Sequence, residues 1–388
     1  MLNNYFKVAL RALRQNKSFS GLNILGLSLG IACSLLILLW VQDERSVVGF
    51  HANNNRLYVL YERGITPDKV DADYENPAIL GDELKKTIPD VGMAVSIDGG
   101  DDFTFRGGDK TIKAKGGYAG ADFFTMFTFP VLQGNPATAL SGPADIAISN
   151  TLACKLFGSA HAAMGQTVRR DLRNQWKNFT VKAVFDDMQA NSSLQFEFLI
   201  NWQAFYEEHP WMKAWDNAGP MTIVLLNPNA NPAGVATKLR HSLDKYDPRP
   251  IPGYHIELML QPFDEMYLHG NFKNGYISGG RIEYIRLFTL VAIFLLLIAC
   301  INYMNLTTAR SMRRAREIGV RKVIGATKGS LIGQFMSEAI LLTTLAMAVG
   351  LIAVWLLLPS FNSITGKQIH PPFDNATFWL EEIGRAHV

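Results

Sequence analysis

The residues best equipped for chemistry are the cations between Arg310 and Lys328, a stretch holding seven Lys or Arg and a single Glu. At 3.6 residues per turn, Arg310, Arg314, Glu317 and Arg321 fall on one helical stripe, with Met312, Ala315, Gly319, Val323 and Ala326 opposite. Glu317 stands three residues after Arg314 and four before Arg321, within reach of both. Arg314, Arg316, Arg321 and Lys322 are therefore candidates to bind acidic or carbonyl groups, with Glu317 orienting the guanidinium forks. Lipid headgroups are the simplest such surface, because an amphipathic helix of this kind can lie on a membrane with its apolar face down. A second polar set sits in or beside apolar runs: Asn302, Asn305, Gln334 and Glu338. An ionisable group at the edge of a membrane helix avoids lipid and turns toward a partner. Gln334 lies one turn before Glu338 on the same face.

Other chemistries find no footing. No Gly-x4-Gly-Lys-Ser/Thr loop occurs, and Gly325–Gly329 has the composition without the spacing. The eight histidines show no metal-ligand spacing. Asp101 and Asp102 lack the rest of a calcium loop and read as a solvated turn. Cys33, Cys154 and Cys300 are scattered, so no disulfide framework is implied. No catalytic, cofactor-binding or metal residue is assigned, and the chain reads as non-catalytic. A net charge of +3 says little about partners and does not imply nucleic acid.

The elements that must position these residues are apolar runs long enough to cross a bilayer, which takes roughly 20 residues. Leu287–Ala309 and Ala339 to about Pro359 flank the basic stretch, and short loops this basic stay on the cytoplasmic side. Gly21–Val41 is uncharged and too long for a signal-peptide core, and Asp43-Glu44 follows where a cleavage site would stand. Gly26, Ser28, Gly30 and Ser34 suit close helix packing there. Residues 1–20 contain no acid, and Lys7, Arg11 and Arg14 share one helical face against Tyr5, Phe6, Ala9, Ala12 and Leu13. The reading is a cytoplasmic amphipathic helix over 1–20, spans over 21–42, 287–309 and 335–358, and a basic segment over 310–330.

Residues 43–283 read as one large extracytoplasmic α+β domain. Arg56–Tyr61 and Phe179–Phe185 have strand composition. Ile79–Ile88 has helical periodicity, and Ser149–Phe157 reads as a short helix ended by Gly158. Gly99–Asp102 and Arg106–Asp109 read as hairpin turns. Phe123, Phe124, Phe127 and Phe129 are expected in the core rather than on a ligand-binding patch.

Leu297–Ser311, Arg314–Thr327 and Gln334–Ala339 resemble the permease subunits of the FtsX/MacB family of ABC transporters. Gly117–Tyr118, Asp122–Pro130, Leu132–Gly134, Ile146–Ser149 and Leu156–Gly158 resemble that family's MacB-like periplasmic core domain, with Met188 standing where the family carries proline. The resemblance implies that the basic segment couples to a separate cytoplasmic ABC ATPase. It also implies a second permease copy or half, a periplasmic adaptor, and a place in the bacterial inner membrane with the N-terminus cytoplasmic. By mechanotransmission, ATP binding would move the membrane helices and reshape the outer domain, exporting antimicrobial compounds, peptides or lipoproteins. A regulatory module that controls a cell-wall hydrolase or senses antibiotics would use the same residues. The family has a fourth membrane helix after an extracytoplasmic segment over 359–380. Here Glu382–Val388 resembles translated adapter sequence, so a C-terminally truncated chain with a non-native tail over 381–388 is expected. The expected fold is membrane α-helical, three spans present and the fourth missing, with a large extracytoplasmic α+β domain.

Overall fold

The computed structural model describes residues 11, 17–47, 51–172, 175–188, 192–246, 253–325 and 327–370, with the backbone alone at 310–318 and 321. Most of the amphipathic segment over 1–20 and all of the tail over 381–388 lie outside the described residues. Two compact units emerge: Ser46–Glu283, and a helical unit combining the chain up to Arg45 with the chain from Tyr284 on.

The unit over 46–283 is built on one eleven-stranded mixed sheet. Its strands are β1 (Leu57–Ile65), β2 (Val70–Asp73), β3 (Val91–Gly107), β4 (Lys110–Ala119), β5 (Val131–Gly134), β6 (Asp145–Ser149), β7 (Thr167–Leu172), β8 (Gln175–Phe185), β9 (Phe198–Asn201), β10 (Met221–Leu226) and β11 (His255–Pro262). The main path runs β11-β1-β10-β3-β4-β9-β6-β8-β5, with β2 on β1, and β7 pairing with β3 and β8. β4 and β9 are parallel, as are β6 and β8. Central strands bury both faces, because successive side chains point to opposite sides of a sheet. Ile146 and Ile148 of β6 and Phe198 and Ile200 of β9 enter one core with Phe105, Tyr118 and Trp202. Ala147 and Leu199, between them in sequence, enter another core with Phe123, Phe124, Phe127, Phe129 and Phe263. The phenylalanine quartet is therefore packing material, each ring 6% exposed or less. A third core joins the helix Leu80–Thr87, through Leu80 and Leu84, to Val224, Leu226 and Leu239.

Local chemistry explains several boundaries. The helix Asn150–Phe157 starts at Ser149, whose hydroxyl accepts from the Leu152 N–H, and ends at Gly158. Gly99–Asp102 is not a turn. It lies inside β3, where the register slips between Gly99 and Asp101 and Gly100 takes φ +110. A glycine absorbs this bulge at no steric cost, so β3 and β4 keep pairing as far as Gly107 and Lys110. The hairpin turn is the Gly108-Asp109 pair. β1 runs past Tyr61 to Ile65 because β2 and β11 flank its second half.

The helical unit holds three helices long and apolar enough to cross a membrane: Lys17–Ser46, Arg281–Val323 and Lys328–Thr365. They approach closely at small residues. A Cβ on Gly30 would stand 2.4 Å from Ala299 Cβ, and one on Gly350 would stand 3.2 Å from the Ser28 carbonyl oxygen. The Ser34 hydroxyl donates to the Ala292 carbonyl at 2.9 Å, a buried bond of the kind that holds spans together. The third helix buries Glu338, Leu342, Ala346, Gly350, Val354 and Leu358, a stripe with a four-residue repeat. It continues through Pro359 to Thr365, beyond the boundary read from sequence, because packed membrane helices tolerate proline. A second correction concerns the basic segment. It is not a separate element, since the second helix runs without a break to Val323 and turns at Ile324-Gly325, and the third helix starts at Lys328. Clustered charge alone does not stop a helix made of good helix formers such as Arg, Ala, Glu and Met.

Candidate functional site

The second long helix comprises 43 residues. At 1.5 Å per residue that is about 65 Å, roughly twice the hydrocarbon thickness of a bilayer. About 20 Å of it follows Ala309 and carries the cationic stripe. The side chains of Arg314, Arg316, Glu317 and Arg321 lie outside the described residues, while Lys322 is exposed. At the tip, Val320, Val323 and Ile324 are 57%, 88% and 80% exposed. Large apolar side chains presented this openly need a surface to cover them. Thr327 closes the turn by capping the third helix, its hydroxyl accepting from the Ser330 N–H at 3.4 Å. The sequence reading placed Val323 on the apolar face but left out Val320 and Ile324, which stand at helical spacing with it.

The polar residues in or beside the apolar runs are dispersed. Glu338 is 6% exposed on the buried stripe of the third helix, and Gln334 is half-buried one turn earlier. Asn302 and Asn305 are exposed on the second helix. The Asn302 amide nitrogen lies 3.1 Å from where a Gly26 Cβ would stand.

The other end of the helical unit carries an ionic cluster that the sequence reading also missed. Lys367 meets Asp43 at 2.9 Å and Glu44 at 3.1 Å. The three side chains are 12%, 20% and 4% exposed. The segment after the third helix folds back to make this contact. Asn362 donates from its side chain to the Ile369 carbonyl at 3.0 Å and accepts from the Ile369 N–H at 3.2 Å. Ile369 itself packs among Ala32, Leu36, Val354 and Leu358. The adjacent acids at the end of the first span were the one available signal.

Within the unit over 46–283, a cavity of about 350 Å³ is lined by Glu62, Asp71, Asp73, Glu75, Trp215 and Tyr254, among others. Burial pushes the Glu62 carboxyl up to about 8. A hydrogen bond to Asn76 opposes the shift, and Asp73 and Glu75 add to it. His51 is packed against Phe127 and Phe129, and burial lowers its imidazole to about 4. Among the described residues, no group of three His, Cys, Asp or Glu side chains could hold a metal ion. The large buried ion pair in this unit is structural. Arg170 and Glu208 bond to one another and to the Tyr118 hydroxyl beneath the sheet's second core.

Two family descriptions match the chain. The family description "MacB-like periplasmic core domain" matches residues 20–242, more than half of the chain, and "FtsX-like permease C-terminal" matches residues 289–380. The uncharacterized ABC transporter permease YknZ of Bacillus subtilis is 41% identical over 56 residues, 14% of this chain and 14% of YknZ. The macrolide export ATP-binding/permease protein MacB of Campylobacter jejuni is 31% identical over 94 residues, 24% of this chain and 14% of MacB. The chain thus spans about one seventh of the length of these two relatives. The solved extracellular domain of the ABC-type transporter YknZ from Gram-positive bacteria aligns with TM-score 0.37 and 14% identity, over 51% of this chain and 98% of that domain. On the two family matches, this chain belongs to the ABC transporter permeases of the MacB/FtsX type.

Proposed function

We propose that this chain is a non-catalytic membrane subunit of an export system that works by mechanotransmission. A separate cytoplasmic ATPase docks on residues 310–330, through Arg314, Arg316, Arg321 and Lys322 with Glu317 orienting them. Movement there is carried along the membrane helices to the unit over 46–283, which handles cargo on the outer side. The observation that carries this reading is the unbroken helix from Arg281 to Val323. A displacement at an exposed tip passes along a hydrogen-bonded rod with little loss, which a flexible loop would not allow. The exposed Val320, Val323 and Ile324 beside the cations give the tip apolar anchors as well as charge, a combination that suits a protein surface. Residues 1–20 and 310–330 lie in the cytoplasm in this reading, and 43–283 and 360–378 lie outside. A second permease copy or half completes the membrane unit, and a periplasmic adaptor joins it. The relatives named for macrolide export support antimicrobial compounds as cargo, with peptides or lipoproteins in the same class of role.

The test is co-purification of the ATPase with the permease, together with ATP hydrolysis by the complex. The double variant Glu317→Lys, Arg321→Lys and the single variant Val323→Asp should insert normally yet lose ATPase binding. Unchanged binding and hydrolysis in both would remove the coupling role from this segment.

A further inference from the structure

We infer that Lys367 is a latch that fastens the segment after the third span to the end of the first, and that this latch opens during the transport cycle. The inference rests on the mechanotransmission reading. Lys367 bridges Asp43 and Glu44 at 2.9 and 3.1 Å, and Glu44 is 4% exposed. Asp43 and Glu44 occupy the last turn of the first long helix, which ends at Ser46. Ser46 is also where the unit over 46–283 begins in the chain. The fastening therefore sits at a point through which the chain must transmit any motion of the first span.

Its chemistry suits reversible opening. A buried ion pair gains Coulomb energy but loses hydration, and the two nearly cancel. At a helix end next to water the open state recovers that hydration, so the latch rests mainly closed but by a small margin that a conformational step can overcome. Apolar packing alone would hold the segment more permanently, and among the described residues after the third helix the apolar anchor is Ile369, 5% exposed among Ala32, Leu36, Val354 and Leu358. A glycine that could serve as a pivot stands beside the lysine. Gly366 caps the third helix in the left-handed region at φ +67, with open space around its Cβ position. Rotation there would swing Lys367 from the acids, releasing its N–H from the Asn362 carbonyl and Ile369 from the Asn362 amide, without unwinding the span.

The experiment uses the full chain in complex with its ATPase, with Cys33, Cys154 and Cys300 replaced by serine. Ile369→Cys reports opening through its rate of labelling by a membrane-impermeant maleimide. Val320→Cys reports motion at the other end. Lys367→Met should raise labelling at position 369 about tenfold, in proportion to the open population. Lys367→Arg should keep it slow, and Lys367→Glu combined with Asp43→Lys and Glu44→Lys should restore slow labelling. Trapping the complex with ATP on a hydrolysis-deficient ATPase should speed labelling at position 369 in the otherwise native chain. Labelling that changes at 320 but not at 369 on trapping would make the contact a static staple and overturn the latch, leaving transmission intact. No change at either position, with ATP hydrolysis intact, would defeat transmission and the latch together. Equal labelling at 369 in Lys367→Met and Lys367→Arg would also overturn it.

Discussion

The ion pair beneath the second core of the sheet offers a sharp test of how the unit over 46–283 is held together. Arg170 and Glu208 are 1% and 5% exposed, and Tyr118 bonds to both. Arg170 also lies over the Phe103 ring at 4.3 Å. Arg170→Met leaves the Glu208 carboxylate buried with Tyr118 and with Lys177 at 3.9 Å. Removing one partner of a buried pair costs about 3–5 kcal/mol. Lys177 is 30% exposed and offers partial compensation, so the lower end, about 3 kcal/mol, is expected. In a unit of this size each kcal/mol shifts the melting midpoint by about 2–4 °C, giving a fall of about 6–12 °C. Replacing all three polar partners, Arg170→Met with Glu208→Leu and Tyr118→Phe, removes the stranded charge and should recover most of that loss. Thermal unfolding of the detergent-solubilised chain, followed by tryptophan fluorescence, reads both; Trp202 is packed in the same core. A single-variant shift below about 2 °C, or a triple variant less stable than the single, would refute the reasoning.

Gly30→Val should drive the first and second spans apart, since even a Cβ there meets Ala299 Cβ at 2.4 Å, whereas Gly21→Ala, with nothing within 4 Å, should be neutral or stabilise by up to about 1 kcal/mol; size-exclusion profile and melting midpoint in detergent check the pair. Glu62 is raised from 4.5 to about 8 in the fold, so the folded state holds an extra proton between those values, and stability should fall as pH rises through that window by up to about 5 kcal/mol; Glu62→Gln should flatten the denaturation midpoint over pH 5–8. His51 is lowered from 6.5 to about 4, so the unfolded chain binds the extra proton, and stability should be lost as pH falls from about 6.5 to 4, by about 3 kcal/mol; His51→Phe, among Phe127 and Phe129, should remove that acid-side loss.

The apolar spans were legible because length and the absence of charge leave a bilayer helix few alternatives. The helix after Ser149 was equally plain, since the cap and the terminating Gly158 are both local signals. The aromatic quartet could be placed in the core by composition, though its partners could not. β1 pairs with β10 and β11, far away in sequence, and no local pattern encodes such long-range register. Gly99–Asp102 shows how local signals mislead, because a glycine pair marks a bulge and a turn alike, and only the continued pairing of β3 with β4 decides between them. The basic segment failed as a boundary for a related reason. Its residues are good helix formers, so the charge that ends the apolar run does not mark the end of the helix. Lys367 was invisible because its partners lie more than three hundred residues earlier in the chain.

If motion is transmitted through the continuous second helix, rotational phase is part of what it carries. A rod carries angle as well as position, and each residue adds about 100° of turn with 1.5 Å of rise. Inserting a single alanine after Ala309 would leave the span in place and lengthen the helix trivially, yet it would swing the cationic stripe to a different compass bearing. Four inserted alanines would bring the stripe back to within about 40° of its original direction, displaced by about 6 Å. If the proposed ATPase grips this tip, it must read azimuth as well as charge, and the length of helix after Ala309 counts in units of the helical turn.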